Sequence, residues 1–502
     1  MDIEIDRESE VPLYRQVSAG IAELILADRL PPGHRLPAER RLARSLRVTR
    51  TTVVNAYLHL KAEGLIDAHV GRGTVVLPRR VPSAGVADVR PIPWHYFAAD
   101  DLGDRPQRLF NEFVQRGASK GVIGFSAGIP GEESVPAETL ASLAGQITRE
   151  LGPRAFMPTP SEGLTELRAT LADHLATHGL TCTAGNVVVT TGAEQAIDLL
   201  VRMLVARNDT VFVEEPTYAM ALRLLRARGA RLVGVPMDEE GMRTDELETL
   251  LARFHPKLLY TGPTFQNPTG RVLSLERRLH LLDLAHRYQF PVVEDDVYSE
   301  LRFSGTPVPS LAALDEHGYV VQVGSLSKVV APGLRVGWAI APLPVVRRLA
   351  AAKAATDLHT PTLNQWLAER FIRDGHLARH RRAVLRAHAA RAALMDAALR
   401  HWAPDLVRWT LPEGGLSLWC VLPEDLPHDA LMEECLRRGV TYLPGTLCAV
   451  DGASENGLRL TFGFPAEAAI DDGIARLMDA VRAATPSGED RAAAELGTAA
   501  VV

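Results

Sequence analysis

The first apolar pattern of the chain has the period of a helix. Val17, Ile21, Leu24 and Ile25 fall on one face, and Pro31-Pro32-Gly33 follows as a stop signal. This pattern predicts an amphipathic helix near the N-terminus, with its apolar face packed on a small core.

Two more helices and a hairpin are predicted after this helix. A short helix spans residues 38–46, and a third helix has Thr49 as its N-cap and ends near Gly64. Two short apolar runs then flank the glycine-containing turn of residues 71–73, which is typical of a β-hairpin. Three helices followed by a hairpin predict an α+β winged helix-turn-helix domain over residues 1–77.

The pattern changes after this domain. Residues 78–115 have no helical or strand period and are predicted to be a linker, and residues 485–502 are predicted to be a disordered tail. Between them, residues 116–484 alternate short apolar runs with helix-length segments, which predicts a parallel α/β sheet covered by helices. A long helical stretch over residues 360–400 leads to a smaller α+β subdomain. The predicted strands are residues 187–191, 210–214, 232–235, 258–261, 292–295 and 320–323.

Composition narrows the class of protein. The chain has 502 residues, so two or three domains are expected. Its net charge is -6, so any basic surface must be local. Its four cysteines lack C-x-x-C spacing, which argues against a disulfide framework or a metal site. The N-terminus does not resemble a signal peptide, and no apolar run approaches the roughly 20 residues of a membrane span. We therefore expect a cytoplasmic protein with no membrane partner.

One lysine follows the last predicted strand among hydroxyl groups and an arginine. Ser325, Ser327 and Lys328 are followed by Arg335. A lysine amine can form an imine with the aldehyde of pyridoxal 5′-phosphate (PLP), while hydroxyl groups and a cation can hold its phosphate. Taken alone, a loop lysine is more often a solvated side chain.

Three further motifs lie at the ends of predicted strands. Gly192, Ala193 and Glu194 lead from a strand into a helix, whose N-terminus can bind phosphate. Asn267 lies in a turn where its amide could bond a phenolate oxygen, and Asp295 ends a strand where a carboxylate can keep a pyridine nitrogen protonated. Each motif has a plainer explanation, as a tight turn or a water-facing acid. Together with the lysine they predict a PLP site.

These motifs, in this order, resemble the PLP-dependent aminotransferases of fold type I over about residues 120–484. The resemblance implies that Lys328 forms the Schiff base, that Asp295 partners the pyridine nitrogen, and that Arg459 binds the carboxylate of a substrate or effector. A surface or helix-capping role is the alternative for Arg459. The other cofactor-binding positions that the resemblance implies are Gly192, Ala193, Glu194, Tyr218, Asn267, Tyr298, Ser325, Ser327 and Arg335.

Two positions depart from the pattern of that family. Pro158 lies five residues before Gly163, where the family commonly has a tyrosine that reaches the phosphate of the neighbouring subunit. Glu194 replaces a usual glutamine. We expect both changes to leave Schiff-base formation intact, whereas efficient turnover is in doubt.

Arginines are concentrated in the predicted winged helix, where seven lie between residues 29 and 50 against the single acid Glu39. Such a run is usually a solvated face, but in this fold it can contact phosphates. The strings at residues 36–40, 48–53 and 71–74 resemble the GntR family of bacterial regulators. The resemblance implies promoter DNA as a partner, with contacts from Arg40, Thr49, Arg50, Thr51, Asn55 and Arg72.

A GntR-type domain joined to an aminotransferase-like domain resembles the MocR/GabR subfamily of transcriptional regulators. The resemblance implies a domain-swapped homodimer that senses PLP, or an amine or amino-acid effector, through Lys328 and so controls promoter binding. An active PLP-dependent aminotransferase, with or without regulation, is the alternative. Direct sensing of PLP without an amine effector is also left open.

Overall fold

The computed structural model describes residues 11–69, 73–78, 121–423, 426–451 and 456–485, together with residues 3, 5–7, 9, 111, 113 and 115. The chain divides into two compact units, residues 1–99 and 100–502. Most of the predicted linker, all but the first residue of the predicted tail, and Arg72 lie outside the described residues.

The N-terminal unit contains the predicted helices and hairpin. These elements are α1 (Leu13–Leu26), α2 (Glu39–Ser45), α3 (Arg50–Ala62) and the antiparallel strands β1 (Ile66–His69) and β2 (Gly73–Val76). Val17, Ile21 and Ile25 of the predicted apolar face are buried in its core. Thr49 caps α3 as predicted, because its Oγ1 accepts a hydrogen bond from the Thr52 N–H at 3.2 Å. The winged helix-turn-helix is confirmed.

The larger unit is built on one sheet of eight strands, which contains all six predicted ones. The short strand β3 (Ile123–Gly124) precedes this sheet in the chain and is not part of it. The strands of the sheet are β4 (Val187–Thr190), β5 (Thr210–Glu215), β6 (Arg231–Asp238), β7 (Gly241–Met242), β8 (Leu258–Thr261), β9 (Val292–Asp295), β10 (Val320–Ser325) and β11 (Gly337–Ile340). Their order is β4-β11-β10-β9-β8-β5-β6-β7. The sheet is mixed rather than wholly parallel, because β11 runs antiparallel to β4 and β10, and β7 antiparallel to β6.

Both faces of this sheet are buried. Along β4, Val188 belongs to one apolar cluster, while Val187 and Val189 belong to another. Alternation of this kind buries a strand on both sides and explains its continuous apolar sequence. The helices of this region are α4 (Ala137–Leu151), α5 (Thr165–Ala176), α6 (Ala193–Leu204), α7 (Ala219–Ala227), α8 (Thr244–Leu251), α9 (Leu275–Tyr288), α10 (Leu311–Leu314) and α11 (Leu343–Thr356).

The stretch predicted as helical over residues 360–400 consists of α12 (Thr362–Arg373) and α13 (His376–Trp402). They are separated at Gly375, whose φ of 76° lies in the left-handed region that interrupts a helix. The smaller α+β subdomain that was predicted follows. Its elements are β12 (Arg408–Trp409), β13 (Ser417–Val421), α14 (His428–Arg438), β14 (Val440–Thr441), β15 (Leu443–Pro444), β16 (Gly457–Thr461) and α15 (Ile470–Ala484).

The smaller subdomain reaches back to the start of the larger unit. Its antiparallel sheet has the order β12-β13-β16-β15, and β14 pairs in parallel with β3.

Among the described helices, none is long and apolar enough to cross a membrane.

Candidate functional site

A cavity of ≈ 220 Å³ lies at the carboxyl ends of β9 and β10. The residues that follow these two strands and the first turns of α6 and α7 surround it. Every cofactor-binding residue predicted from the sequence lines it, with the exception of Gly192. The lining residues are Ala193, Glu194, Ile197, Tyr218, Asn267, Asp295, Val297, Tyr298, Ser325, Ser327, Lys328 and Arg335. Motifs that are far apart in the sequence therefore meet at one place.

Lys328 and Asp295 provide the opposite charges of this cavity. Lys328 Nζ donates a hydrogen bond to the Gly128 carbonyl at 2.7 Å and lies 5.7 Å from the centre of the Tyr298 ring. Asp295 Oδ2 accepts a hydrogen bond from the Tyr260 hydroxyl at 2.5 Å. Burial raises the pKa of Asp295, and the Tyr260 hydrogen bond and the Lys328 charge oppose that rise.

Hydrogen-bond donors gather where α6 begins. Gly192 is the N-cap of this helix, with a φ of 90°, and a Cβ at this position would lie 2.5 Å from Arg335 Nη2. Only glycine suits both its backbone angle and this close approach. Arg335 Nη2 donates to the Thr191 carbonyl at 3.0 Å, and the Ser327 N–H donates to Ser325 Oγ at 3.1 Å. A helix N-terminus, a guanidinium and two hydroxyl groups suit a phosphate.

Two hydrogen-bonded pairs border the rest of the cavity. The Tyr218 hydroxyl donates to Glu194 Oε2 at 3.1 Å. Arg459, which is only 4% exposed, donates from Nη1 to Asn267 Oδ1 at 2.8 Å and from Nη2 to the Ser126 carbonyl at 2.7 Å. The predicted carboxylate-binding arginine is thus attached to a residue of the cavity wall, which disfavours the surface alternative.

Two of three unpaired polar atoms of the cavity residues fit the polar groups of PLP. Asp295 Oδ1, Ser327 Oγ and Glu194 Oε1 are buried and have no hydrogen-bond partner among the described residues. A buried polar atom left unpaired costs roughly 1–3 kcal/mol, so a ligand that pairs with it gains that amount. A protonated pyridine nitrogen can donate to Asp295, and a phosphate oxygen can accept from Ser327. Glu194 Oε1 is itself an acceptor, and a phosphate offers it no matching donor.

Several residues that contact the site were not predicted from the sequence. Gly128 and Ser126 contribute only backbone carbonyls, for which side-chain motifs carry no signal. Tyr260 could have been predicted from its position, because it lies near the carboxyl end of β8, the strand beside β9. Asp357 accepts from Lys353 Nζ at 2.6 Å and from Gln195, and so holds the loop at the start of α6.

A larger cavity of ≈ 630 Å³ adjoins the site and shares Val297 and Ser325 with it. Asp296 faces this second cavity, whereas Asp295 faces the first. Because Lys328, Ser327 and Arg335 line only the smaller cavity, we take the smaller one as the functional site.

Those predicted DNA-contact residues that the structure describes are exposed. Arg40 lies on α2, and Thr49, Arg50, Thr51 and Asn55 lie at or near the start of α3. Arg50 donates from Nε and Nη2 to Glu39 Oε2 at 3.0 and 2.9 Å. The sequence did not predict that this arginine is already paired. Arg72 lies outside the described residues.

Comparison with known families identifies both units. Residues 120–477 match the family model "Aminotransferase class I and II", and residues 13–76 match "Bacterial regulatory proteins, gntR family". Both families were expected from the sequence motifs.

Relatives share one or both of these domains. The uncharacterized HTH-type transcriptional regulator YisV of Bacillus subtilis is 31% identical over 95% of this chain and 97% of its own. MocR of Rhizobium meliloti, by name a probable rhizopine catabolism regulatory protein, is 30% identical over 98% of each chain.

A solved structure resembles the larger unit alone. It is LysN, an α-aminoadipate aminotransferase of Thermus thermophilus in complex with N-(5′-phosphopyridoxyl)-L-leucine. It is 35% identical, has a TM-score of 0.69 and covers 75% of this chain and 98% of its own. The chain therefore belongs to the aminotransferase class I and II family and, through its gntR-family domain, to the MocR/GabR type of DNA-binding transcriptional regulators, whose cofactor is pyridoxal phosphate.

Proposed function

We propose that this regulator binds PLP covalently at Lys328 and uses it to sense PLP itself, or an amine or amino-acid effector, and thereby to control promoter binding. The observation that carries the proposal is the single cavity in which Lys328, Asp295 and Arg335 meet the N-terminus of α6. PLP, when bound, supplies an aldehyde that reacts with amines and a ring that withdraws electrons.

Each part of the cavity has its own task. Lys328 Nζ provides the amine, and its partner, the Gly128 carbonyl, fixes the direction of that amine. Asp295 keeps the ring nitrogen protonated, while Tyr260 orients its carboxylate. Arg335 holds the phosphate together with the backbone N–H groups at the start of α6.

The ring itself would be held by three side chains. Tyr218 would stack on one face of the ring, and Asn267 and Tyr298 would bond its 3′ oxygen. All three line the cavity. An aromatic face beside a flat ring and an amide beside a phenolate are matched chemically.

Arg459 supports an effector that carries a carboxylate. Its Nε is buried without a partner among the described residues, while Nη1 and Nη2 bond neutral oxygens of Asn267 and Ser126. No described carboxylate neutralises this guanidinium by a hydrogen bond or ion pair, so an incoming carboxylate could form a charge-assisted pair with it. We therefore favour an amino acid over a simple amine.

Control of DNA binding requires two arrangements of the protein. An effector shifts their populations only if it binds one arrangement better than the other. A homodimer that exchanges domains would couple two DNA-binding units. Phe156 and Met157, which are 63% and 58% exposed beside Pro158, support a partner surface in that region. Measurement of the mass in solution tests the dimer, and a monomer at working concentration would contradict it.

An absorption spectrum tests the cofactor site. Wild-type protein with PLP should gain the near-ultraviolet or visible band of PLP bound to an amine, and Lys328→Ala should not. Lys257→Ala is a matched control, because Lys257 is exposed and does not line the cavity. Equal spectra for wild type and Lys328→Ala would rule out attachment at Lys328.

DNA binding tests the regulatory part of the proposal. The protein should bind DNA from upstream of its own gene or its neighbours selectively, and PLP or an amino acid should shift that binding. Loss of the shift in Lys328→Ala would link the two domains. Binding that ignores PLP, with rapid keto-acid formation that needs Lys328, would instead support an active aminotransferase.

A further inference from the structure

Glu194 places a carboxylate in the cavity proposed for an anionic cofactor. It lies in the first turn of α6, and its side chain lines the same cavity as Lys328. One oxygen, Oε2, accepts the Tyr218 hydrogen bond, whereas Oε1 is buried and unpaired within the described part of the chain. An unpaired carboxylate oxygen at this position needs a donor that the described protein does not supply.

The carboxylate and a phosphate would use the same positive helix end. The N-terminus of a helix stabilises negative charge, but its free N–H groups are few. A phosphate at the start of α6 would carry close to two charges near neutral pH. An ionised Glu194 beside it would oppose binding, because two anions close together in a poorly solvated cavity repel each other.

The charged and titratable groups around Glu194 are mixed in sign. Lys328 faces it from the loop after β10, and Asp295 faces it from β9. Arg335 and Tyr298 line the same cavity, and Tyr218 bonds it from the start of α7. Asp198 adds a negative charge from the next turn of α6.

These surroundings favour the neutral acid. Burial is the main cause that raises the pKa of Glu194, and the charges of Asp295 and Asp198 act in the same direction. The Tyr218 hydrogen bond and the Lys328 charge oppose the rise. A phosphate added to the cavity would favour the neutral form further, because it adds negative charge.

We propose that Glu194 sets the affinity of the cavity for PLP by holding one proton when the cofactor is bound. The neutral acid has an O–H that can donate to a phosphate oxygen, as a glutamine amide would, and the ionised form has none. The proton comes from solvent and remains on the carboxyl group. This inference rests on the proposed PLP site and adds a pH-dependent affinity to it.

The direction of the pH effect follows from this proton. Binding that takes up a proton becomes weaker as pH rises above the pKa of Glu194 in the empty cavity, by up to about tenfold for each pH unit. Glu194→Gln removes the titrating group and keeps nearly the same shape. It should therefore bind PLP more tightly than wild type at high pH, with a smaller difference at low pH.

Calorimetric titration of full-length protein with PLP tests this inference. Wild type, Glu194→Gln and the control Glu276→Gln are compared at about pH 6 and about pH 8.5, in pairs of buffers with different ionisation enthalpies. We expect Glu194→Gln to bind PLP about tenfold more tightly than wild type at the higher pH and to take up fewer protons there. Glu276→Gln should behave like wild type, because Glu276 is exposed in the first turn of α9 and does not line the cavity.

The outcomes separate this inference from the proposed site. Equal affinities and equal proton uptake for wild type and Glu194→Gln, with PLP still bound, would overturn the role of Glu194 and leave the site intact. Failure of all three proteins to bind PLP at the lower pH would overturn both. If Glu194→Gln does not fold, Glu194→Ala carries the same charge change and should show a smaller increase in affinity at the higher pH, because alanine has no donor for the phosphate.

Discussion

The Tyr260 hydroxyl donates a hydrogen bond of 2.5 Å to Asp295, the carboxylate proposed to face the ring nitrogen. The two residues lie on the neighbouring strands β8 and β9. This bond favours the ionised carboxylate in a buried place that otherwise raises the pKa of Asp295.

Tyr260→Phe should weaken PLP binding by about tenfold to a hundredfold, because a hydrogen bond to a charged group contributes roughly 1.5–3 kcal/mol. The pKa of Asp295 should rise further in the variant. Since the ionised form is the one that binds, the affinity ratio between wild type and variant should grow as pH falls. Titration with PLP at several pH values measures this ratio, and the exposed Tyr288→Phe is the control. A ratio near one at every pH would contradict the role of Tyr260.

The Arg50–Glu39 pair predicts opposite effects of two substitutions on DNA binding. Arg50→Ala should weaken binding, and the slope of the logarithm of the binding constant against the logarithm of the salt concentration should become less steep by about one. Glu39→Ala removes a negative charge and frees the guanidinium, so binding should strengthen at low salt. Binding isotherms over a range of salt concentrations distinguish the two. If Glu39→Ala weakens binding as much as Arg50→Ala does, the pair itself is the DNA-binding feature.

Arg278 is fully buried and holds the loop that precedes α9. Its guanidinium donates to the carbonyls of Leu273, Pro309 and Pro263 at 3.0, 2.9 and 2.8 Å. Arg278→Met would leave the Leu273 and Pro309 carbonyls without a donor among the described residues, whereas the Pro263 carbonyl still accepts from the Leu273 N–H. The variant should destabilise the larger unit by on the order of 3 kcal/mol. Thermal unfolding measures this loss. The more exposed Arg287→Met should show no measurable change, and equal melting temperatures for the two variants would refute the prediction.

His388 should make stability depend on pH. It is fully buried, and burial, together with the charge of Arg391, lowers its pKa to about 4. The unfolded chain binds the proton with a pKa of about 6.5, so stability should fall as pH drops from about 6.5 to about 4, by on the order of 3 kcal/mol. His388→Leu should lose this part of the dependence. Denaturant unfolding at several pH values measures it, with exposed His255→Leu as the control. Parallel curves for wild type and His388→Leu would contradict the prediction.

The sequence predicted most of the features that depend on side-chain pattern. Asp295 and the loop that carries Lys328 were predicted because each lies at the end of an apolar run. These runs are present because β9 and β10 are buried on both faces. The antiparallel course of β11 was not predicted, because direction within a sheet depends on pairing rather than on composition. The Gly128 contact was not predicted because it uses a backbone carbonyl, a group that every residue has.

The segment that ends at Gly128 is attached to the smaller subdomain. β3 pairs with β14, Thr461 N–H donates to the Phe125 carbonyl at 3.0 Å, and Arg459 of β16 bonds the Ser126 carbonyl. The Gly128 carbonyl at the end of this segment accepts the hydrogen bond from Lys328, which follows β10 of the large sheet. Separation of the two subdomains would therefore withdraw this acceptor from Lys328 Nζ. Closure would restore the hydrogen bond, so the orientation of this amine depends on the position of the smaller subdomain.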